Sequence, residues 1–282
     1  MLGHRLWRHL SGRHETRATL RMEVDAYAGL GIPDLDSAFA GIDVRHVDDL
    51  LRVFAEFRPE AVINAIGIVK QRDEAKAALP SLELNAVFPH RLSRICGTAG
   101  ARLVHLSTDC VFSGDRGSYT EGDPSDAKDL YGRSKYLGEV TDDHCVTLRT
   151  SIIGLELRRK SGLIEWFLAQ RGTISGYRKA IYTGFTTMEM ARIIERILSC
   201  HAELSGLWQV ASAPIDKYNL LSGLSTRLAR DDVDIRPDDT FVCDRSLVAD
   251  RFAQATGYAA PGWDEMLDEL AELIVARQKG NQ

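Results

Sequence analysis

The sequence has no apolar run approaching the ~18 residues that a membrane-spanning helix needs. Its opening, Met1 to Arg13, is basic and His-rich without the long apolar core of a secretory signal. Membrane partners are therefore not expected, and the cytoplasm is the expected location. The cysteines Cys96, Cys110, Cys145, Cys200 and Cys243 are odd in number, widely spaced and free of any C-x-x-C pair. That pattern excludes a disulfide framework and predicts reduced thiols. The histidines form no pair with the spacing of a zinc site, so no metal is expected. Positive charge is neither in excess nor clustered: 35 Lys and Arg face 40 Asp and Glu, for a formal net charge of −5. Without a basic stripe, nucleic acid is not an expected partner. Internal repeats and low-complexity segments are also missing.

What is present is an ordinary globular composition, 44% hydrophobic and 27% charged over 282 residues. This is enough for one large α/β domain, or for a nucleotide-binding domain with a smaller cap. Short β-branched or apolar runs alternate with amphipathic stretches in the first half, the βαβ signature of a parallel sheet. Strands are expected at residues 16–22, 61–66, 102–106 and 145–150, with helices at 50–57, 82–96 and 132–142. The segment 111–130 carries Gly114, Gly117, Gly122 and Pro124 and reads as a long polar loop, a kind of segment that is often functional in compact domains. Further on, helices are expected at 162–171, 187–199 and 263–277, and a strand at 207–211. The last helix has a stripe of Met266, Leu267, Leu270, Leu273 and Ile274.

Tyr131 and Lys135 stand four residues apart, so on a helix they project from one face. An ammonium beside a phenol favours the phenolate and is expected to lower its pKa, which suits a group that delivers a proton to a carbonyl oxygen. Thr108, at the carboxyl end of an expected parallel strand, offers a second hydroxyl to that oxygen, and open α/β sheets bind their ligands at such strand ends. Taken alone the pair is a weak motif and more often a surface contact. Its weight comes from the preceding Ser107-Thr108-Asp109, the glycine-rich loop and the following Gly138-Glu139.

The segments Ser107-Thr108-Asp109-Cys110-Val111-Phe112-Ser113-Gly114 and Tyr131-Gly132-Arg133-Ser134-Lys135-Tyr136-Leu137-Gly138-Glu139 resemble the extended short-chain dehydrogenase/reductases, and within them the dTDP-4-dehydrorhamnose reductase branch. Val62-Ile63-Asn64-Ala65, Asn85-Ala86, Leu148-Arg149-Thr150-Ser151, Gly206-Leu207-Trp208-Gln209-Val210 and Pro261-Gly262-Trp263 are similar to further family segments. The resemblance implies a Rossmann-like doubly wound parallel sheet in an α/β protein. An NAD(P)-binding domain would occupy residues 1–150. Residues 151–282 would form mostly a small α/β substrate-binding region, with segments returning to the core. It implies Tyr131 as general acid, Lys135 as its electrostatic partner and ribose anchor, and Thr108 as carbonyl ligand. It further implies that Gly3, Asn64, Ala65 and Ile66 line the cofactor, that Asp43 and Val44 lie against adenine, and that Asn85 supports the site. The first helix would direct its N-terminus at the pyrophosphate. The implied activity is NAD(P)H-dependent reduction of a 4-keto nucleotide sugar for deoxysugar and cell-surface polysaccharide supply. The resemblance leaves a homodimer open. A rival of another class is a non-catalytic subunit similar to the regulatory subunit of methionine adenosyltransferase, against which the intact Thr108, Tyr131 and Lys135 argue.

Departures from the family pattern accompany this. Of the first glycine turn, G-x-x-G-x-L-G, only Met1-Leu2-Gly3 is present, and the first strand is missing. A start assigned at an internal Met is the expected explanation, with truncation as the rival; a chain that truly began here would bind cofactor poorly. Cys110 stands where the family has Tyr, and Ile152-Ile153-Gly154 replaces an aromatic segment, so a UDP-linked acetamido-deoxyhexose competes with dTDP-4-dehydrorhamnose as the expected substrate. Arg21, where an Asp would hold a ribose hydroxyl, favours NADPH over NADH. Lys70, Arg178 and Lys179 are weaker phosphate candidates, each reading equally as a surface cation.

Overall fold

Residues 1–32, 34–69, 77–158 and 160–280 are described in a computed structural model; Lys70 lies outside them. In Arg102–Leu106 (β2), Val104 and Leu106 face one way and Leu103 and His105 the other, and all four are buried. A strand apolar on both faces needs a layer on each side. β2 lies in a parallel sheet between Ala61–Asn64 (β1) and Cys145–Arg149 (β3), and Gly206–Gln209 (β8) adds to the far side of β3.

One face is covered by helix Leu2–Leu10 (α1), whose Leu2, Leu6 and Leu10 recur at helical spacing, and by Thr187–Cys200 (α7) through Met190, Ile193, Ile194 and Ile197. Against the other lie Val47–Phe57 (α2), through Leu50 and Val53, and Phe88–Ala99 (α4), through Phe88, Leu92 and Cys96. A turn of helix, Ala78–Ser81 (α3), and a π-helical stretch, Leu82–Val87, lead into α4. The remaining sheets are small. Ile152–Ile153 (β4) pairs with Phe185–Thr186 (β7), and Gly172–Tyr177 (β5) pairs with Val233–Asp238 (β10). Ala180–Tyr182 (β6) lies between Ile215–Asp216 (β9) and Cys243–Asp244 (β11). Helices Leu163–Ala169 (α6), Lys217–Arg227 (α8) and Trp263–Gly280 (α10) close a separate apolar core with β5 and β10, around Phe167, Leu220, Leu224, Leu270 and Ile274. Asp250–Thr256 (α9) returns to the main sheet, packing Phe252 edge-on against Trp208.

The expected strand at 16–22 is a correction. Only Thr19 forms a bridge, to Phe39, and Leu20 is the one buried residue of the segment. A strand forms where a neighbour takes its hydrogen bonds, and among the described residues β1 pairs with β2 alone, leaving the other edge of β1 open. The expected helix at 132–142 is also shifted: Leu130–Leu137 (α5) starts two residues earlier, where the Asp129 carboxylate accepts from the Gly132 amide at 2.8 Å, and it stops at Gly138.

Candidate functional site

The carboxyl ends of β1, β2 and β3 open on a cavity of about 660 Å³. Thr108 lies two residues beyond β2 and caps a short 3₁₀ turn, Asp109–Val111, by accepting from the Cys110 amide at 3.1 Å. Helix α5 lies directly on this turn: a Cβ on Gly132 would fall 2.1 Å from the Cys110 carbonyl oxygen. At its other end, a Cβ on Gly138 would fall 1.9 Å from the Asn85 carbonyl oxygen. Two glycines thus let α5 contact backbone on both sides, and they set the height of Tyr131 and Lys135 above the sheet.

The Lys135 ammonium is buried and donates to the Leu106 carbonyl oxygen at 2.5 Å. Burial pulls its pKa down from 10.5 to about 8, opposed by Glu139. The Tyr131 pKa is raised, chiefly by burial and then by the neighbouring Cys110 thiol, against a Thr108 hydrogen bond that favours the phenolate. This reverses the expected lowering. The ammonium gives one of its three donors to a backbone carbonyl, and desolvation governs the phenol.

Glu139 secures the base of the cavity. It accepts from Ser107 Oγ at 2.6 Å and from Arg149 Nε and Nη2 at 2.8 and 2.7 Å. The ends of β2, β3 and α5 are joined there through one carboxylate. Asn85, in the π-helical stretch, does the same for the loop after β1: it accepts from the Ile68 amide at 2.8 Å and donates to the Ile68 carbonyl at 3.0 Å and to Ser134 Oγ at 3.1 Å. Asn64 donates to His105 Nδ1 at 3.1 Å and accepts from the Ile66 amide at 3.1 Å. Asn64 and Asn85 therefore support the wall rather than line it.

Of the sequence-predicted residues, Gly3, Ala65, Ile66, Thr108, Tyr131 and Lys135 line this one cavity. Arg21, Asp43 and Val44 do not. Arg21 is exposed, the Asp43 carboxylate is paired with Arg45, which holds its pKa well below the usual range, and Val44 packs against the α2 and α4 core. Arg178 is paired with Asp239 at the surface. The cavity is also lined by Ile153, Gly154, Tyr182, Lys217, Phe241, Cys243 and Arg245, from the second half of the chain. Sequence reasoning missed Tyr182, Lys217 and Arg245, which belong to no motif. Away from the cavity, Asp142, His144 and Cys145 cluster, but Ser93 Oγ already contacts all three, so no metal role is drawn from them. No helix among the described residues is long and apolar enough to cross a membrane.

Fold and cavity together define a Rossmann-like α/β protein with its ligand space at the carboxyl ends of the parallel strands. The chain belongs to the RmlD substrate binding domain family, whose model matches residues 1–158. It is similar to the dTDP-4-dehydrorhamnose reductase of Mycobacterium tuberculosis, 28% identical over 61% of this chain and 49% of that protein. It is also similar to the spore coat polysaccharide biosynthesis protein SpsK of Bacillus subtilis, 33% identical over 35% of this chain and 36% of that one. These matches span half or less of the length of the curated relatives. In fold it resembles a Bacillus anthracis dTDP-4-dehydrorhamnose reductase crystallised with NADP, at a TM-score of 0.72 and 20% identity, covering 90% of this chain and 98% of that one.

Proposed function

We propose that this protein reduces the C4 carbonyl of a nucleotide-linked 4-keto-6-deoxy sugar with NADPH, or NADH, as hydride donor. The observation that carries the reading is that Thr108, Tyr131 and Lys135 open into the same cavity as Gly3, Ala65 and Ile66. The relatives named above as a dTDP-sugar reductase and a polysaccharide biosynthesis protein support the substrate class and its use in cell-surface polysaccharide supply.

The residues on the first-half side of the cavity fit a nicotinamide dinucleotide. Gly3, in the first turn of α1, would place a Cβ 4.0 Å from that of Ala65, and that turn carries no acidic side chain to repel a pyrophosphate. The buried Lys135 would hold a ribose hydroxyl. On this reading residues 1–150 hold the cofactor and residues 151–282 supply mostly the substrate side. When bound, the cofactor supplies hydride to the carbonyl carbon. Thr108, whose hydroxyl donates to the Asp109 carboxylate at 3.1 Å, would turn that donor to the carbonyl oxygen and orient it. Tyr131, protonated at neutral pH, would give its proton to the same oxygen as negative charge develops there. The NADP complex of the Bacillus anthracis protein favours NADPH, whereas Arg21 lies away from the cavity and lends that choice no support.

Oxidation of NADPH with dTDP-4-dehydrorhamnose, or with a UDP-linked 4-keto acetamido sugar, tests the reading. Tyr131→Phe is expected to lower kcat by about 10²–10⁴-fold and to leave NADPH affinity nearly unchanged. Undiminished turnover in that variant overturns the assignment.

A further inference from the structure

Tyr182, on β6, packs its ring edge-on against Trp263 with centroids 5.7 Å apart and is only 8% exposed. Its hydroxyl is buried and has no hydrogen-bond partner among the described residues. A buried O–H left unmatched is costly, and the remedy is a partner that arrives with a ligand. The residue lines the cavity shared with Thr108 and Tyr131, close enough to Asp109 for that carboxyl to act on the phenol electrostatically.

A second, independent observation lies in the same cavity. Lys217, the first residue of α8, is half-buried, yet its ammonium makes no hydrogen bond or ion pair among the described residues and stands 6.0 Å from the centre of the Phe241 ring. Beside it, Arg245 is fixed by donating to the Phe112 and Ser113 carbonyls at 2.9 and 3.1 Å. Among the described residues, a hydroxyl with no hydrogen bond and a cation with no hydrogen bond or ion pair, though within electrostatic reach of Asp109, line one cavity, and together they call for a ligand with a hydroxyl-bearing part and an anionic part.

We propose that Tyr182 and Lys217 are the substrate-selecting pair of this cavity: Tyr182 exchanges a hydrogen bond with a ring hydroxyl of the sugar, and Lys217 takes the charge of its diphosphate. The inference rests on the cavity being the sugar-nucleotide site.

Calorimetric titration of the NADP-saturated protein with dTDP-rhamnose and UDP-N-acetylglucosamine, and with dTDP and UDP alone, separates the two contacts. Tyr182→Phe keeps the ring against Trp263, so its melting temperature should hold or rise. It should weaken the preferred sugar nucleotide about tenfold and leave the free nucleotide unchanged. Lys217→Met should weaken both. Unchanged sugar-nucleotide affinity in Tyr182→Phe overturns the inference, as does a wild-type protein that binds none of the four. If the expected binding pattern appears and no 4-keto sugar is reduced, the subsite stands and the proposed reaction falls.

Discussion

Lys135 Nζ and the Leu106 carbonyl oxygen meet at 2.5 Å, which ties the last turn of α5 to the last residue of β2. The bond satisfies a buried ammonium without neutralising it, and the pKa falls from 10.5 to about 8. Below pH 8 both folded and unfolded chains carry the proton, and the cost of burying the charge is fully present. Between about 8 and 10.5 the unfolded chain binds more protons than the folded one, so this group's contribution to stability rises with pH. Wild-type stability minus that of Lys135→Met should therefore increase across that window, by at most roughly 3 kcal/mol. Urea unfolding at a series of pH values reads it, and a flat or falling difference contradicts the burial argument.

Gly138→Ala and Gly132→Ala each place a methyl group against backbone, near the Asn85 and Cys110 carbonyl oxygens, where no side-chain rotation gives relief. Each should cost about 1–3 kcal/mol or more, lowering the melting temperature by several degrees. Gly12 is the control, because a Cβ there meets nothing within 4 Å. Gly12→Ala should leave the melting temperature unchanged or slightly raised.

These glycines also show which parts of the structure were legible in the sequence. Tyr131, Gly132, Lys135 and Gly138 fall within eight residues of one helix and its cap, so spacing alone placed them relative to one another. Thr108 followed from the end of a short, mostly apolar run that reads as a buried strand. Arg21, Asp43 and Val44 do not line the cavity, and their positions depend on pairing between distant segments. Leu20 alone of its segment is buried, the pairing there shrinks to the Thr19 and Phe39 bridge, and Asp43 finds a partner two residues on in Arg45. Tyr182, Lys217 and Arg245 reach the cavity through the β6, β9 and β11 pairing, which no local pattern announces.

Asn85 offers a test of the loop after β1. Asn85→Ala leaves the Ile68 amide and carbonyl and the Ser134 hydroxyl without their shared partner. A loss of about 1–3 kcal/mol is expected, and the Ile68 amide should exchange with solvent far faster than in wild type. Unchanged protection at Ile68 contradicts the assignment of Asn85 as the loop's anchor.

The Glu139 and Arg149 pair should respond differently to single and double substitution. Their side chains are 6% and 3% exposed and bonded through two nitrogens, with the guanidinium 5.1 Å from the centre of the Phe112 ring. Glu139→Gln leaves a buried guanidinium without its counter-charge, which costs about 3–5 kcal/mol. It also leaves one acceptor oxygen where the carboxylate had two, to be shared between Arg149 and the Ser107 hydroxyl, one residue before Thr108. Replacing both partners, as Glu139→Gln with Arg149→Met, removes the unpaired charge and should recover a large part of that loss. Chemical unfolding of the three variants measures this. Recovery in the double variant with turnover still depressed would locate the pair's role in holding the ends of β2, β3 and α5 in register around Thr108 and Tyr131. A double variant as unstable as the single one would show instead that packing of the Arg149 guanidinium on Phe112 carries the stability.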